Sequence, residues 1–240
     1  MIFQYFWKHE INLPKGIGNN LGWQYLVTIA LMLVAFVLLI LIYRKMSAKH
    51  RKRLMIALAI MMPLLEISRI IWKLAVGQFY TAEDLPLQIC RIMLFLQPIA
   101  ILTQNAKLKT FCYTFGLPGA LLAFVMPTFG NYPIMSFFYL RYIICHFVLA
   151  LVPLLWVFGD KFRPRVKLWV LLTAVLALGV VMFGANVLIG SNYFYVNYLP
   201  THVNINLPQP WHFIVMVSFM MAIVTITILP FLLRKKEPAL

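Results

Sequence analysis

Acidic side chains are scarce in this chain: six Asp and Glu stand against 21 Lys and Arg in 240 residues. Charge of either sign is thin, at 11% of residues, while 63% are hydrophobic. So little polar surface excludes a soluble globular domain and matches a polytopic membrane protein. Cysteine is limited to three residues, an odd number that supplies no disulfide framework. Neither a CxxC nor an HExxH spacing occurs, so no metal and no cofactor is implied. The net charge of +15 suggests nucleic acid at first sight. The basic residues, however, lie in short runs between long apolar segments, which argues against that partner. No cleavable signal peptide is expected, because the basic flank of the first apolar run follows it rather than preceding it.

Long apolar runs are what the chain has in abundance. A hydrocarbon core of about 30 Å needs roughly 20 helical residues. On that scale seven spans are predicted, at 24–43, 54–76, 86–103, 110–126, 138–158, 167–189 and 211–233. The expected fold is therefore an all-α polytopic membrane bundle, one integral domain over 1–240. Arg44, Lys45, Lys49, Arg51, Lys52 and Arg53 follow the first span, and Lys107 and Lys109 the third. Lys161, Arg163, Arg165 and Lys167 follow the fifth, and Arg234, Lys235 and Lys236 the seventh. The other three connecting loops carry no Lys or Arg. The positive-inside rule then puts the N-terminus outside and the C-terminus in the cytoplasm. Phe3, Tyr5, Phe6, Trp7 and Trp23 suit the outer interface. The neutral, aromatic outer loop 190–210 is expected to pack as a lid on the bundle.

Orientation gives each polar residue a depth. Glu66, Arg69 and Lys73 fall at i, i+3 and i+7 on one face of the second span's outer half. Charges at such depth line a cavity or pair with one another, so Glu66 and Arg69 are either a locking pair, a substrate contact or both. Pro86 suits the first turn of the third span, with Glu83 and Asp84 complementing its helix dipole. Cys90 then lies about one turn below the outer end, on the order of 7 Å down, with Gln97 on the same face and Gln88 roughly opposite. Tyr139, Tyr142 and His146 form a stripe on the fifth span, with Arg141 beside it. His146 comes roughly 12 Å down, so it and Cys90 reach similar depths on separate helices. Cys145 should point elsewhere, and Cys112 begins the fourth span on the cytoplasmic side.

An imidazole beside a thiol can take its proton and generate the thiolate that attacks an ester. The bland alternative makes Cys90 a small buried hydrophobe and His146 a hydrogen-bonded core residue, and chemistry alone does not separate the two.

The segment Leu85-Pro86-Leu87-Gln88-Ile89-Cys90 resembles the Leu-Pro-Leu-His-Leu-Cys signature of the bacterial YwaF-type integral membrane proteins. That family is related to the eukaryotic transmembrane-protein-164 acyltransferases, which remodel ether phospholipids. The resemblance covers roughly residues 60 to 230. It takes in Glu66, Arg69, Trp72 and Gly77, then Tyr113, Gly116, Gly119, Ala120 and Pro127, then His146. It ends with Gly190, Asn192, Tyr193, Pro200, Pro210 and Trp211. It implies a catalytic Cys–His pair, here Cys90 and His146, and a multi-pass protein of a bacterial plasma membrane. The androgen-induced integral membrane hydrolases are reminiscent of it but use a threonine with a histidine. Gln88 departs from the signature's histidine, so any acid–base role at that position is lost.

The leading expectation is an acyltransferase or acyl-ester hydrolase acting on phospholipid-type membrane lipids. Cys90 would be the nucleophile and His146 the base and then the acid. Glu66, Arg69, Lys73, Arg91, Gln97, Arg141, Tyr142 and Asn192 are the candidate substrate contacts, the cations for an anionic head group. Backbone or Asn/Gln N–H groups would serve the oxyanion. The competing class is a transporter or binding subunit for a small anionic or aromatic solute, using the same cavity and the proline-broken spans at Pro63, Pro98, Pro118 and Pro153. An assembly factor is a third reading. Nothing in the chain specifies an oligomeric state.

Overall fold

The computed structural model describes residues 5–9, 12–13, 22–127, 132–199 and 207–233, which are all-helical in their regular structure. In chain order the elements are α1 (Trp23–Lys45), α2 (Ala48–Ala75), the short α3 (Thr81–Asp84), α4 (Ile89–Thr103) and α5 (Ala106–Phe111). A π-helical turn, Cys112–Gly116, joins α5 to α6 (Leu117–Val125). Then come α7 (Phe137–Leu154) with a π-turn at Leu155–Gly159, α8 (Leu168–Ile189), a 3-10 turn at Tyr193–Tyr195, and α9 (Trp211–Leu232). Among the described residues, six rods are long and apolar enough to cross a membrane: α1, α2, Ala106–Val125, Phe137–Gly159, α8 and α9. Arg234, Lys235, Lys236, Pro200 and Phe3 lie outside the described residues.

Local chemistry sets the helix ends, and some differ from expectation. Ser47 caps α2 by accepting the His50 N–H at 3.4 Å, so the helix starts at Ala48 rather than 54. Lys49, Arg51, Lys52 and Arg53 therefore ride on a helix and not in a loop. Asn105 caps α5 through the N–H groups of Lys107 (2.9 Å) and Leu108 (3.1 Å), which moves the fourth span's start back to Ala106. At the other end of α2, Gly77 takes a positive φ of 66° and Gln78 N–H returns to the Lys73 carbonyl at 2.9 Å.

The span expected at 86–103 needs the largest correction. Its helix, α4, has 15 residues and begins at Ile89, about 22 Å long at 1.5 Å per residue. Pro86 sits in a tight turn before it, with Leu87 N–H on the Leu85 carbonyl at 2.8 Å. Upstream, Asp84 is held in the bundle by Arg69 and accepts the Tyr80 N–H at the start of α3. Leu85, the residue before Pro86, is extended, and the chain turns there before α4 starts.

Solvent preference explains the layering. Leu26, Leu31, Val34 and Leu38 on α1, Val180, Val181 and Val187 on α8, and Ile226 on α9 are all exposed. So much outward apolar surface suits hydrocarbon and not water. The enclosed centre is α2, α4 and α7, whose Met62, Met93, Leu94 and Leu149 are fully buried. Pro153 lacks the N–H that would bond the Leu149 carbonyl one turn earlier. Gln97 supplies the missing donor across the interface, its Nε2 lying 3.0 Å from that oxygen. Gly116 in the π-turn leaves room for this amide, since a Cβ there would come within 2.9 Å of Nε2.

Candidate functional site

The late start of α4 changes the setting of Cys90. With Gln88 at the N-cap, Cys90 is the second residue of the helix rather than a group one turn inside it. No side chain caps this end, so the N–H groups of Ile89, Cys90 and Arg91 are not used by a cap. The positive end of the helix dipole meets the sulfur and stabilises negative charge on it or on an adjoining oxygen. Gly119 of α6 faces the same spot, a Cβ there lying 3.8 Å from the Cys90 sulfur and 3.4 Å from Ile89 Cγ2. Cys90 itself is half-buried.

His146 is buried on α7. Its Nδ1 lies 2.8 Å from the Tyr142 carbonyl oxygen, which can only accept, so Nδ1 carries the proton and Nε2 keeps its lone pair. The ring packs 4.2 Å from the Tyr142 ring and 6.0 Å from that of Phe124. Among the described residues no hydrogen bond joins Cys90 to His146, although α4 and α7 pack together. Arg91 lies within electrostatic range of both. Cys145 does not point away as expected: it is buried in the core against which Cys90 packs, within electrostatic range of that thiol. The reason is that α7 is enclosed nearly all round, so neighbours 100° apart both meet protein. Cys112 is buried in the π-turn.

The charged residues form one buried knot. Glu66 accepts Arg69 through Oε1 at 2.8 Å and Arg141 through Oε2, with Arg91 at 4.0 Å. Arg69 reaches on to Asp84 at 2.6 Å, and Lys73 joins that carboxylate at 3.5 Å. Arg141 also donates to the Leu65 carbonyl at 2.8 Å. Arg91 donates to the carbonyls of Glu83 (2.7 Å) and Leu85 (3.0 Å), which ties it to the turn before α4. Four cations thus share two carboxylates, leaving two positive charges in excess. Arg69 and Arg141 are locked by close pairs, while Arg91 is held only distantly by Glu66. Beside the knot lie Trp7 and His9. His9 stacks on Trp72 at 5.7 Å and reaches Lys73 at 3.4 Å, and Trp7 packs on Phe137 at 5.0 Å.

Asp84 is the residue that sequence reasoning misplaced. It is buried, not a surface complement to the helix dipole. A signal was available: its loop has no Lys or Arg, so any counter-ion for it had to come from a helix.

Other candidate contacts carry hydrogen bonds within the protein. Tyr142 donates its hydroxyl to the Ala123 carbonyl at 2.7 Å, and Tyr25 does the same for Phe124 at 2.8 Å, satisfying the last turn of α6. Asn192 binds within its own loop, its Nδ2 on the Tyr198 carbonyl at 2.7 Å and its Oδ1 on the Asn197 N–H at 3.2 Å. Gln97 is half committed: Nε2 is bonded, while the buried Oε1 finds no donor among the described residues. Gln88 faces away from Cys90 and toward the loop, its Oε1 accepting the Phe194 N–H at 3.1 Å.

That loop packs on the start of α4. Tyr193, Phe194 and Val196 are buried against Leu85, Leu87, Ile89 and Ile92. Phe194 and Tyr195 both take left-handed φ angles, 61° and 54°, which cost on the order of 1 kcal/mol each for residues with a Cβ. Surrounding bonds impose this shape. Asn186 Oδ1 accepts Ser191 Oγ (2.7 Å) and Tyr193 N–H (2.8 Å), and its Nδ2 donates to the Tyr193 carbonyl at 2.9 Å. His212 bonds the Tyr195 carbonyl at 2.8 Å, and Gln209 the Asn197 carbonyl at 2.8 Å. Burial holds the Tyr193 phenol above its usual pKa range, so it stays a donor to the Thr81 carbonyl at 3.0 Å.

No curated protein and no solved structure matches the chain. The TMEM164 family profile matches residues 20–229, a range that holds the membrane-crossing helices nearly whole and every member of the buried knot. This is a multi-pass membrane protein, and it belongs to the TMEM164 family.

Proposed function

We propose that the chain is a membrane-embedded acyltransferase, or acyl-ester hydrolase, acting on phospholipid-type substrates through Cys90 and His146 in the outer half of the membrane. One observation carries this reading. The uncapped first turn of α4 carries a thiol, and α4 packs on α7, where the His146 Nδ1–H is committed to a carbonyl and Nε2 is left basic. Out of water a thiol resists ionising, so its proton has to leave as the sulfur attacks. His146 Nε2 is the group to take it. The Cys90 sulfur adds to the ester carbonyl, the C–O bond to the leaving alcohol breaks, and that alcohol takes the proton back from the imidazolium. An acyl thioester on Cys90 and a free lysolipid hydroxyl remain. An acceptor hydroxyl, or water, then adds to the thioester and the C–S bond breaks, returning a proton to sulfur. The first-turn N–H groups of α4 suit the oxyanion of both steps. Resting geometry looser than a hydrogen bond is usual before substrate arrives.

The excess positive charge of the knot supports an anionic head group near Arg91 and Lys73, and Gln97 Oε1 offers an acceptor to a donor on the lipid. Arg69, Arg141, Tyr142 and Asn192 would act by shaping the wall. We further place α4, with the turn before it, as a seventh span of a single membrane domain, N-terminus outside, C-terminus cytoplasmic, in a bacterial plasma membrane. Tyr198, exposed on the lid side, and Ala48, exposed beside the basic residues, test the orientation. Tyr198→Cys should react with an impermeant maleimide in whole cells and Ala48→Cys should not; the reverse pattern would sink the orientation and the outer-leaflet site together.

Incubating the purified protein with acyl-labelled phospholipids, wild type beside Cys90→Ser, tests the chemistry. Wild type should carry hydroxylamine-labile label on Cys90 and form acylated or hydrolysed products. If both proteins behave alike, the acyl-transfer reading is wrong, and uptake of a small anionic solute into vesicles becomes the measurement to make.

A further inference from the structure

We infer that residues 161–167 form a fixed ladder of cations that binds the head groups of anionic phospholipids in the surrounding membrane. The ladder lies at the end of the bundle away from Cys90 and does not depend on the acyl-transfer reading. Exposure alternates strictly along it. Lys161, Arg163, Arg165 and Lys167 are exposed, while Phe162, Pro164 and Val166 between them are buried or half-buried. That is the pattern of extended chain, which sends successive side chains to opposite faces and sets the exposed ones roughly 6 to 7 Å apart.

The inner side chains hold the frame. Phe162 and Val166 pack on the main core, and the Phe162 N–H donates to the Trp156 carbonyl at 2.8 Å. Lys109, on α5, lies over the rings of Trp156 at 5.6 Å and Phe162 at 5.7 Å. Lys161 takes a left-handed φ of 57° where the chain leaves the π-turn, and Arg163, preceding Pro164, is steered to extended backbone. Fixing orientation by charge needs basic residues but no such frame.

Charge here is nearly all of one sign. Among the described residues Asp160 is the acidic group at this end, and it is engaged by the Tyr43 hydroxyl at 3.0 Å and by Arg51 at 3.5 Å. Lys161, Arg165 and Lys167 form no ion pair among the described residues. The setting favours a lipid over a soluble polyanion. Lys167 is the N-cap residue of α8, whose Val170, Leu176 and Val180 are exposed apolar groups suited to hydrocarbon. Trp169, also exposed, suits the interface and puts the ladder at the level of lipid phosphates. No side chain caps α8, so its first-turn N–H groups add to the attraction for a phosphate beside Lys167.

The test titrates the full-length protein in neutral detergent with dioleoyl-phosphatidylglycerol and, separately, with dioleoyl-phosphatidylcholine. Bound lipid is counted by native mass spectrometry, and the thermal midpoint is followed alongside. Wild type should retain phosphatidylglycerol and gain thermal stability from it, and should do neither with phosphatidylcholine. A cation held near an anionic surface strengthens attraction roughly fivefold, so Lys161→Gln, Arg165→Gln and Lys167→Gln together should weaken phosphatidylglycerol binding roughly a hundredfold. Arg165→Gln alone, expected to cost roughly fivefold, stands in if the triple variant does not fold. Lys45→Gln, Lys49→Gln and Lys52→Gln together remove the same charge from exposed positions at the α1–α2 connection and should leave most of the binding. Equal uptake of both lipids by the wild type, or unchanged binding in the ladder variants, would overturn the proposal. So would an equal loss in the α1–α2 variant, which would make the attraction a matter of total charge. Inorganic phosphate or a single-stranded oligonucleotide that raised the midpoint as much as phosphatidylglycerol would reassign the ladder to a soluble anion.

Discussion

Cys90→Ala is expected to reduce acyl turnover to background, and His146→Ala to lower it by roughly two to four orders of magnitude. The sulfur forms the new bond to the acyl carbon, so no neighbouring side chain replaces it. His146 moves the proton, and with Nδ1 committed to the Tyr142 carbonyl only Nε2 is left to do so. The double variant should be no slower than Cys90→Ala alone, because residues acting as one unit are not additive. Cys145→Ala should cost about 1 kcal/mol of packing in the core it shares with Cys90 while leaving turnover largely intact. Rates from labelled phospholipid, normalised to folded protein, decide the matter. Substantial turnover in His146→Ala would place the base elsewhere.

Glu66→Gln should be the most damaging single change in the buried knot, lowering stability by about 3 to 5 kcal/mol. Glu66 is fully buried and is the shared partner of Arg69 and Arg141. Neutralising it raises the excess of cations over carboxylates from two to three and leaves Arg141 without its close carboxylate, with neutral acceptors such as the Leu65 carbonyl in its place. Arg141→Gln changes the balance the other way, from two to one, and should be clearly milder. Pairing Glu66→Gln with Arg141→Gln should recover part of the loss, since the uncompensated guanidinium is what makes the single change costly. Thermal midpoint and folded yield in detergent report this directly. A knot in which Arg141→Gln proves the worse variant would mean that the excess charge is already neutralised by something bound there.

Membrane class, the approximate place of most helices and the Glu66–Arg69 pair were determined by the amino-acid order alone. Each depends on local matching: an apolar run meets hydrocarbon wherever it folds, and two side chains three apart on a helix meet whatever surrounds them. The family resemblance was legible for a similar reason, because the segment around Pro86 and Cys90 is contiguous. Tertiary structure decided the rest. Asp84 looked like a surface partner for a helix dipole, and Arg69, fifteen residues earlier, holds it inward instead. With α4 starting only at Ile89, Cys90 lies in its first turn rather than one turn inside. Gln88 found its partner 106 residues away, on the Phe194 N–H, and Cys145 was enclosed in the core on which Cys90 packs. Such contacts arise where helices cross, and the register of a crossing is set by the packing of whole surfaces rather than by the spacing of residues along any one of them.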